Sequence, residues 1–138
     1  MELPEAEARR RLAGARVARL ATAGAAGVPH LVPVTFAVRG GLLATAVDGK
    51  PKRHDGLRRL RNAEENARVC VLADAYEEDW SRLWWVRADC LAAVARGDAR
   101  RAPLAWLAAK YPQYRERPPA GPVLVLTVTR CTGWSAQR

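Results

Sequence analysis

The segment DGKPKRHDGLRRLRN, residues 48–62, gathers the side chains best suited to holding an anion. Lys50, Lys52 and Arg53 stand just ahead of a helical pattern. Pro51 fixes its own φ and pushes Lys50 toward extended backbone. In extended backbone Lys50 and Lys52 point the same way. The helix that follows adds unpaired N–H groups and the positive end of its dipole. Together these groups make a cradle for a phosphate or carboxylate, and Arg58 and Arg61 extend it by one turn. The competing reading is a basic face that meets only water.

A second cluster is EEDWSRLWW, residues 77–85, which holds Trp80, Trp84 and Trp85 of the chain's five tryptophans. Tryptophan suits interfaces and ligand pockets. On a strand, Trp80 and Trp84 would share one face and Trp85 would take the other. The cluster reads either as core packing with a dimer seam or as a flat wall for a planar ring. No side chain stands out as an acid or base; His30 and His54 are candidates by type alone. Cys70, Cys90 and Cys131 are widely spaced, form no CxxC pair and do not suggest zinc. Cys70 and Cys90 sit in apolar runs and read as small core residues.

These groups must be carried by one domain, because 138 residues is the size of one. Residues 1–138 are therefore read as a single unit. Its 23 basic and 14 acidic side chains give a net charge of +9, which favours anionic partners. Hydrophobic residues at 49% exclude a mainly disordered chain. No stretch approaches the ~20 apolar residues of a membrane helix, and the start lacks the apolar core of a signal peptide. The expectation is a soluble cytoplasmic protein.

The elements follow from periodicity. Residues 2–14 read as a short helix with Pro4 in its first turn. Val17 and Leu20 mark one strand, and the run from Leu31 to Val38 a second. Pro29 and Pro33 give that second strand an edge or bulged character. Arg39-Gly40-Gly41 is a hairpin signal leading into LLATAV. Residues 53–66 form a helix with Leu57, Leu60 and Ala63 on one stripe. Residues 68–76 are a strand. Alternation from Val86 to Val94 supports a long strand, although the alanine content equally allows a helix. Residues 99–110 are helical, 111–122 a loop and 123–130 a strand. The order is helix, three strands, helix, two strands, helix, strand. That predicts an α+β fold, a six-stranded antiparallel barrel with flanking helices.

Five stretches carry a resemblance: RVARLAT (16–22), GVPHLVPVTFAV (27–38), TAVDGKPKRHDGLRRLRN (45–62), ARVCVLADAYEEDWSRLWWVRADC (67–90) and VLTVTRCTGW (125–134). In order and over nearly the whole chain, they resemble the pyridoxamine 5′-phosphate oxidase-like split β-barrel proteins. The likeness is strongest to the actinobacterial branch of probable F420-dependent enzymes. The resemblance implies a homodimer with two cofactor sites at the subunit interface. It implies that the loop of Lys50, Pro51, Lys52 and Arg53 binds the cofactor phosphate, and that Pro33, Val34 and Thr35 line the ring. The partner chain would supply Trp80, Ser81 and Arg82.

The implied function is an oxidoreductase that transfers hydride between coenzyme F420 and a small organic acceptor. An FMN-binding oxidase or reductase is the nearest alternative, followed by a cofactor carrier without turnover. A basic nucleic-acid-binding domain is a remote one. The arginine and histidine pair of a true pyridoxamine phosphate oxidase has no counterpart near the C-terminus. Oxidation of pyridoxamine phosphate is therefore not expected.

Overall fold

Pro4 precedes helix α1 (Glu5–Gly14), its φ of −57° already suited to a helix entry. The structure, a computed structural model, describes residues 1–47 and 54–137, and for residues 54–57 the backbone alone. After α1 come β1 (Ala18–Ala23), β2 (Pro29–Val34), β3 (Ala37–Arg39) and β4 (Leu42–Ala46). Helix α2 (His54–Glu65), β5 (Arg68–Ala75) and β6 (Trp84–Ala95) follow, then α3 (Arg101–Lys110), α4 (Pro112–Glu116) and β7 (Val123–Ser135).

The α+β class stands, but the described strands number seven rather than six. The single apolar run expected from Leu31 to Val38 is two strands, β2 and β3, broken at Thr35 and Phe36. The segment left open between helix and strand is the strand β6 from Trp84 onward. The expected loop 111–122 contains the short helix α4, which Pro112 opens from its first position.

All seven strands form one antiparallel sheet in the order β2-β1-β5-β6-β7-β4-β3. Its edge strands, β2 and β3, are not paired with each other. They are nevertheless separated by only Thr35 and Phe36. Three Cα–Cα steps span at most about 11 Å, so the sheet must curl until its two edges meet at that dipeptide. The result is a barrel with a split, and the split is where β2 passes into β3. Both prolines of β2 sit on this edge strand, where a missing N–H costs no ladder bond.

Alternation fills the inside of the curl. Val69, Val71 and Ala73 of β5 and Val86, Ala88 and Cys90 of β6 are buried, as are Leu124, Leu126 and Val128 of β7. Phe36, from the split itself, is fully buried in the same core. A second layer forms outside β4, where Ala44 and Ala46 pack with Leu107 of α3 and with Tyr111. Strand β4 is thus covered on both faces, which explains its continuous apolar run. A bulge shifts the β6–β7 register between Asp89 and Cys90, and Thr129 donates its hydroxyl to Asp89 O at 2.9 Å there. Cys90 and Cys131 are core residues, and burial pushes the Cys90 thiol up to about 12. Cys70 departs from its expected core position: it sits on the outer face of β5 and is only half-buried.

Candidate functional site

The break at Thr35 and Phe36 leaves backbone groups that no strand ladder can satisfy, and side chains from distant elements take them over. Thr45 of β4 donates its hydroxyl to Thr35 O at 2.8 Å. Tyr111, between α3 and α4, accepts from Phe36 N at 3.1 Å. The same hydroxyl lies 2.9 Å from Phe36 O and 2.7 Å from Arg16 O, so its one proton is held between two carbonyls. The Thr35 side chain meets the hydroxyl of Tyr114 at 2.6 Å. The Tyr111 and Tyr114 rings pack edge to face, 5.7 Å apart at 77°, which fixes both.

Beside this seam lies a cavity of about 500 Å³ lined by Pro33, Val34, Thr35, Ala46, Arg59, Tyr114 and residues 117–120. Pro33, Val34 and Thr35, singled out from the sequence, thus lie together on its wall. Helix α2 is docked against β1 by Asn62, which donates to Thr22 Oγ1 at 3.1 Å, and against the turn that follows β1 by Glu65, which accepts from Ala25 N at 2.7 Å. Gly24 allows that approach, since a Cβ there would stand 2.6 Å from Glu65 Oε1. Docked so, α2 presents Arg59 to the cavity, while Arg58 is exposed and outside the lining.

The opposite wall is the stretch after α4. Arg100 donates to Pro119 O at 3.2 Å and to Ala120 O at 3.0 Å, and Val47 N bonds Pro122 O at 3.2 Å. Gly121 has Val47 O only 3.2 Å from where a Cβ would be. These contacts strap residues 119–122 to Arg100, just ahead of α3, and to the end of β4. Sequence reasoning missed Arg59, Tyr114 and Arg117 as lining residues.

Lys50, Pro51, Lys52 and Arg53 lie outside the described residues. In sequence they join β4 to α2, and each of those elements contributes a residue to the cavity lining. Trp80, Ser81 and Arg82 are described and stand elsewhere. They form a 3-10 turn capped by Asp79, whose carboxylate accepts from Ser81 N at 3.1 Å and from Ser81 Oγ at 2.7 Å. Trp80 is therefore not on a strand with Trp84, as the sequence suggested, and its side chain is 76% exposed. None of the three lines the cavity of its own chain.

Lys110 sits behind the seam. Its Nζ lies 4.0 Å from the centroid of the Phe36 ring and donates to Ala15 O at 2.6 Å. Burial, with Arg16 nearby, lowers its pKa to about 8. Among the described residues, no group of three or more His, Cys, Asp or Glu could hold a metal ion. No described helix is long and apolar enough to cross a membrane.

This architecture has counterparts. An FAD-binding protein from Mesorhizobium loti has the same fold, with a TM-score of 0.73 and 19% identity over 96% of this chain and 93% of that one. An FAD-binding protein from Mycobacterium smegmatis gives 0.66 and 18% over 97% and 96%. A heme storage protein from Vibrio cholerae gives 0.71 and 16% over 95% and 93%. At such identities the likeness is one of fold. No curated protein matches the sequence. The sequence profile of the family described as pyridoxamine 5′-phosphate oxidase matches residues 4–135. That match takes in the split, the cavity and every described strand, and the chain belongs to the pyridoxamine 5′-phosphate oxidase family.

Proposed function

We propose that the chain is an oxidoreductase that binds a flavin-type cofactor in the cavity beside the split, coenzyme F420 in the first reading and FMN in the second. The observation that carries this is the cavity itself. Its volume of about 500 Å³ falls within the roughly 300–1,000 Å³ of cofactor pockets. One side offers Pro33, Val34 and Thr35 to a ring, and Arg59 and Arg117 offer charge to anionic groups. The segment of Lys50, Lys52 and Arg53, which joins two lining elements, supplies further cations for a phosphate.

When bound, such a ring supplies hydride chemistry. The chain's own part is to hold the ring against β2, orient it through the fixed seam and keep water away. The several arginines favour F420, whose tail carries more negative charge than the phosphate of FMN. The FAD-binding proteins of the same fold favour a flavin. Among the described lining residues, only Tyr114 is of a type that ligates heme iron, so the cavity suits a flavin better than a heme.

The working unit is a homodimer. Val28 is 59% exposed, Leu31 67% and Leu91 47%, all large apolar side chains on or beside the sheet. Leu31 lies beside Ala21 in the β1–β2 register, and Ala21 and Leu91 line an outer cavity of about 640 Å³. A second copy seated there would cover this apolar surface, and the resemblance implies that its Trp80, Ser81 and Arg82 reach the cofactor.

The test is a parallel titration of the protein with F420 and FMN, followed by tryptophan fluorescence and by cofactor absorbance. Preferential binding of F420 supports the first reading, and preferential binding of FMN supports the second. Binding of neither overturns the proposal.

A further inference from the structure

Thr35 and Tyr114 line two cavities rather than one. On the far side of their hydrogen bond lies a space of about 380 Å³ bounded by Arg16, Tyr111 and Gln113. The hydroxyl pair is therefore a shared wall. Each hydroxyl carries one proton, and the single 2.6 Å hydrogen bond between them uses one. The second proton has no partner among the described residues. Tyr111 cannot serve in the same way, because its proton is held between Arg16 O and Phe36 O.

The smaller cavity is mainly apolar, with tyrosine rings along one side. Arg16 lies with its guanidinium carbon 4.9 Å from the centroid of the Tyr111 ring, and one of its N–H groups bonds Lys110 O at 3.1 Å. Its other N–H groups leave donors for an anion at the rim. Lys110 adds positive charge behind the Phe36 ring.

The geometry points to the smaller cavity as a second ligand site, for a small planar carboxylate. Its apolar body lies against Tyr111 and Tyr114. Its carboxylate faces Arg16, and one oxygen accepts the remaining proton of the Thr35–Tyr114 pair. The Thr35–Tyr114 wall keeps a ligand held here out of hydride-transfer contact with a ring in the larger cavity, so this is a second ligand site and not the acceptor site. It is defined by side chains that do not depend on the cofactor reading.

Benzoate is the probe, with benzamide as its neutral counterpart, each titrated calorimetrically into wild type, the double variant Thr35→Val with Tyr114→Phe, and Arg16→Met. The double variant keeps the ring and removes both hydroxyls, so that neither proton of the pair is left to donate, and circular dichroism checks that both variants fold. Benzoate binds wild type at least fivefold more tightly than benzamide, and each variant loses about tenfold of that affinity, as expected for a hydrogen bond to a charged group. No binding of benzoate to wild type, or equal binding by wild type and the folded double variant, overturns the assignment. FMN and F420 are titrated into the same three proteins. Their failure to bind wild type while benzoate binds overturns the cofactor reading alone and upholds the site.

Discussion

The hydroxyl of Tyr111 bonds both the N–H and the C=O of Phe36, 75 residues earlier in the chain. One side chain thus satisfies the backbone at the point where the sheet is split. Phe36 is fully buried, so water cannot replace those bonds. Tyr111→Phe keeps the ring and strands the Phe36 amide and carbonyl. The expected loss is about 1–3 kcal/mol, the range for a buried polar group left unsatisfied. Urea denaturation of the variant checks it, and a change below ~0.5 kcal/mol would show that the seam is held by other means.

The two neighbouring arginines of α2 separate a cavity role from a general basic field. Arg59 lines the cavity and Arg58 is exposed. Arg59→Ala should weaken cofactor binding by roughly 1.5–3 kcal/mol, the range for a charged hydrogen bond. Arg58→Ala should change it by less than about 0.5 kcal/mol, as a screened surface charge does. Equal effects in a cofactor titration would place the anion along the outer helix face instead.

Leu31 tests the homodimer. It sits on the edge strand with 67% of its surface exposed. Leu31→Glu should leave the monomer folded, since no core contact is lost, and should lower the apparent mass by half in light scattering. Cofactor binding should fall with it if the partner completes the site. A wild-type protein that runs as a monomer at high concentration would contradict the arrangement.

Lys110 carries a pH signature. Its pKa is lowered to about 8 in the fold by burial, then by Arg16. The unfolded chain holds that proton up to about 10.4. Between these values the unfolded state binds more protons, so this group makes stability rise with pH through that window. Below about 8 both states are protonated and the contribution is flat. Lys110→Met removes the term. Wild type should therefore gain Tm relative to the variant between pH 7.5 and pH 9.5. A constant difference would show that Lys110 keeps its ordinary pKa in the fold.

Much of the architecture was legible because it is written in short-range pattern. Pro29 and Pro33 marked an edge strand, and that is where β2 lies. Alternation from Val86 to Val94 marked β6. The break at Thr35 and Phe36 was not legible, because both residues suit a strand and the partners that stabilise the break come from Thr45, Tyr111 and Tyr114. Periodicity is blind to contacts 75 or more residues apart, such as those of the two tyrosines. The resemblance singled out Pro33, Val34 and Thr35 for a ring, and these three consecutive residues share the wall of one cavity. It did not distinguish Arg59 from Arg58, because side-chain direction on α2 depends on how Asn62 and Glu65 dock that helix. Trp80 was misplaced on a strand because Asp79 caps a 3-10 turn there, a local hydrogen bond that overrides aromatic strand propensity.

The central claim is that a flavin-type ring lies against the end of β2. A crystal structure of the protein with whichever of F420 and FMN it binds more tightly tests this directly. The account predicts the ring against Pro33, Val34 and Thr35, with anionic groups reaching Arg59 and the segment of Lys50 to Arg53. A ring seated instead in the outer cavity of Ala21, Cys70 and Leu91 would contradict it.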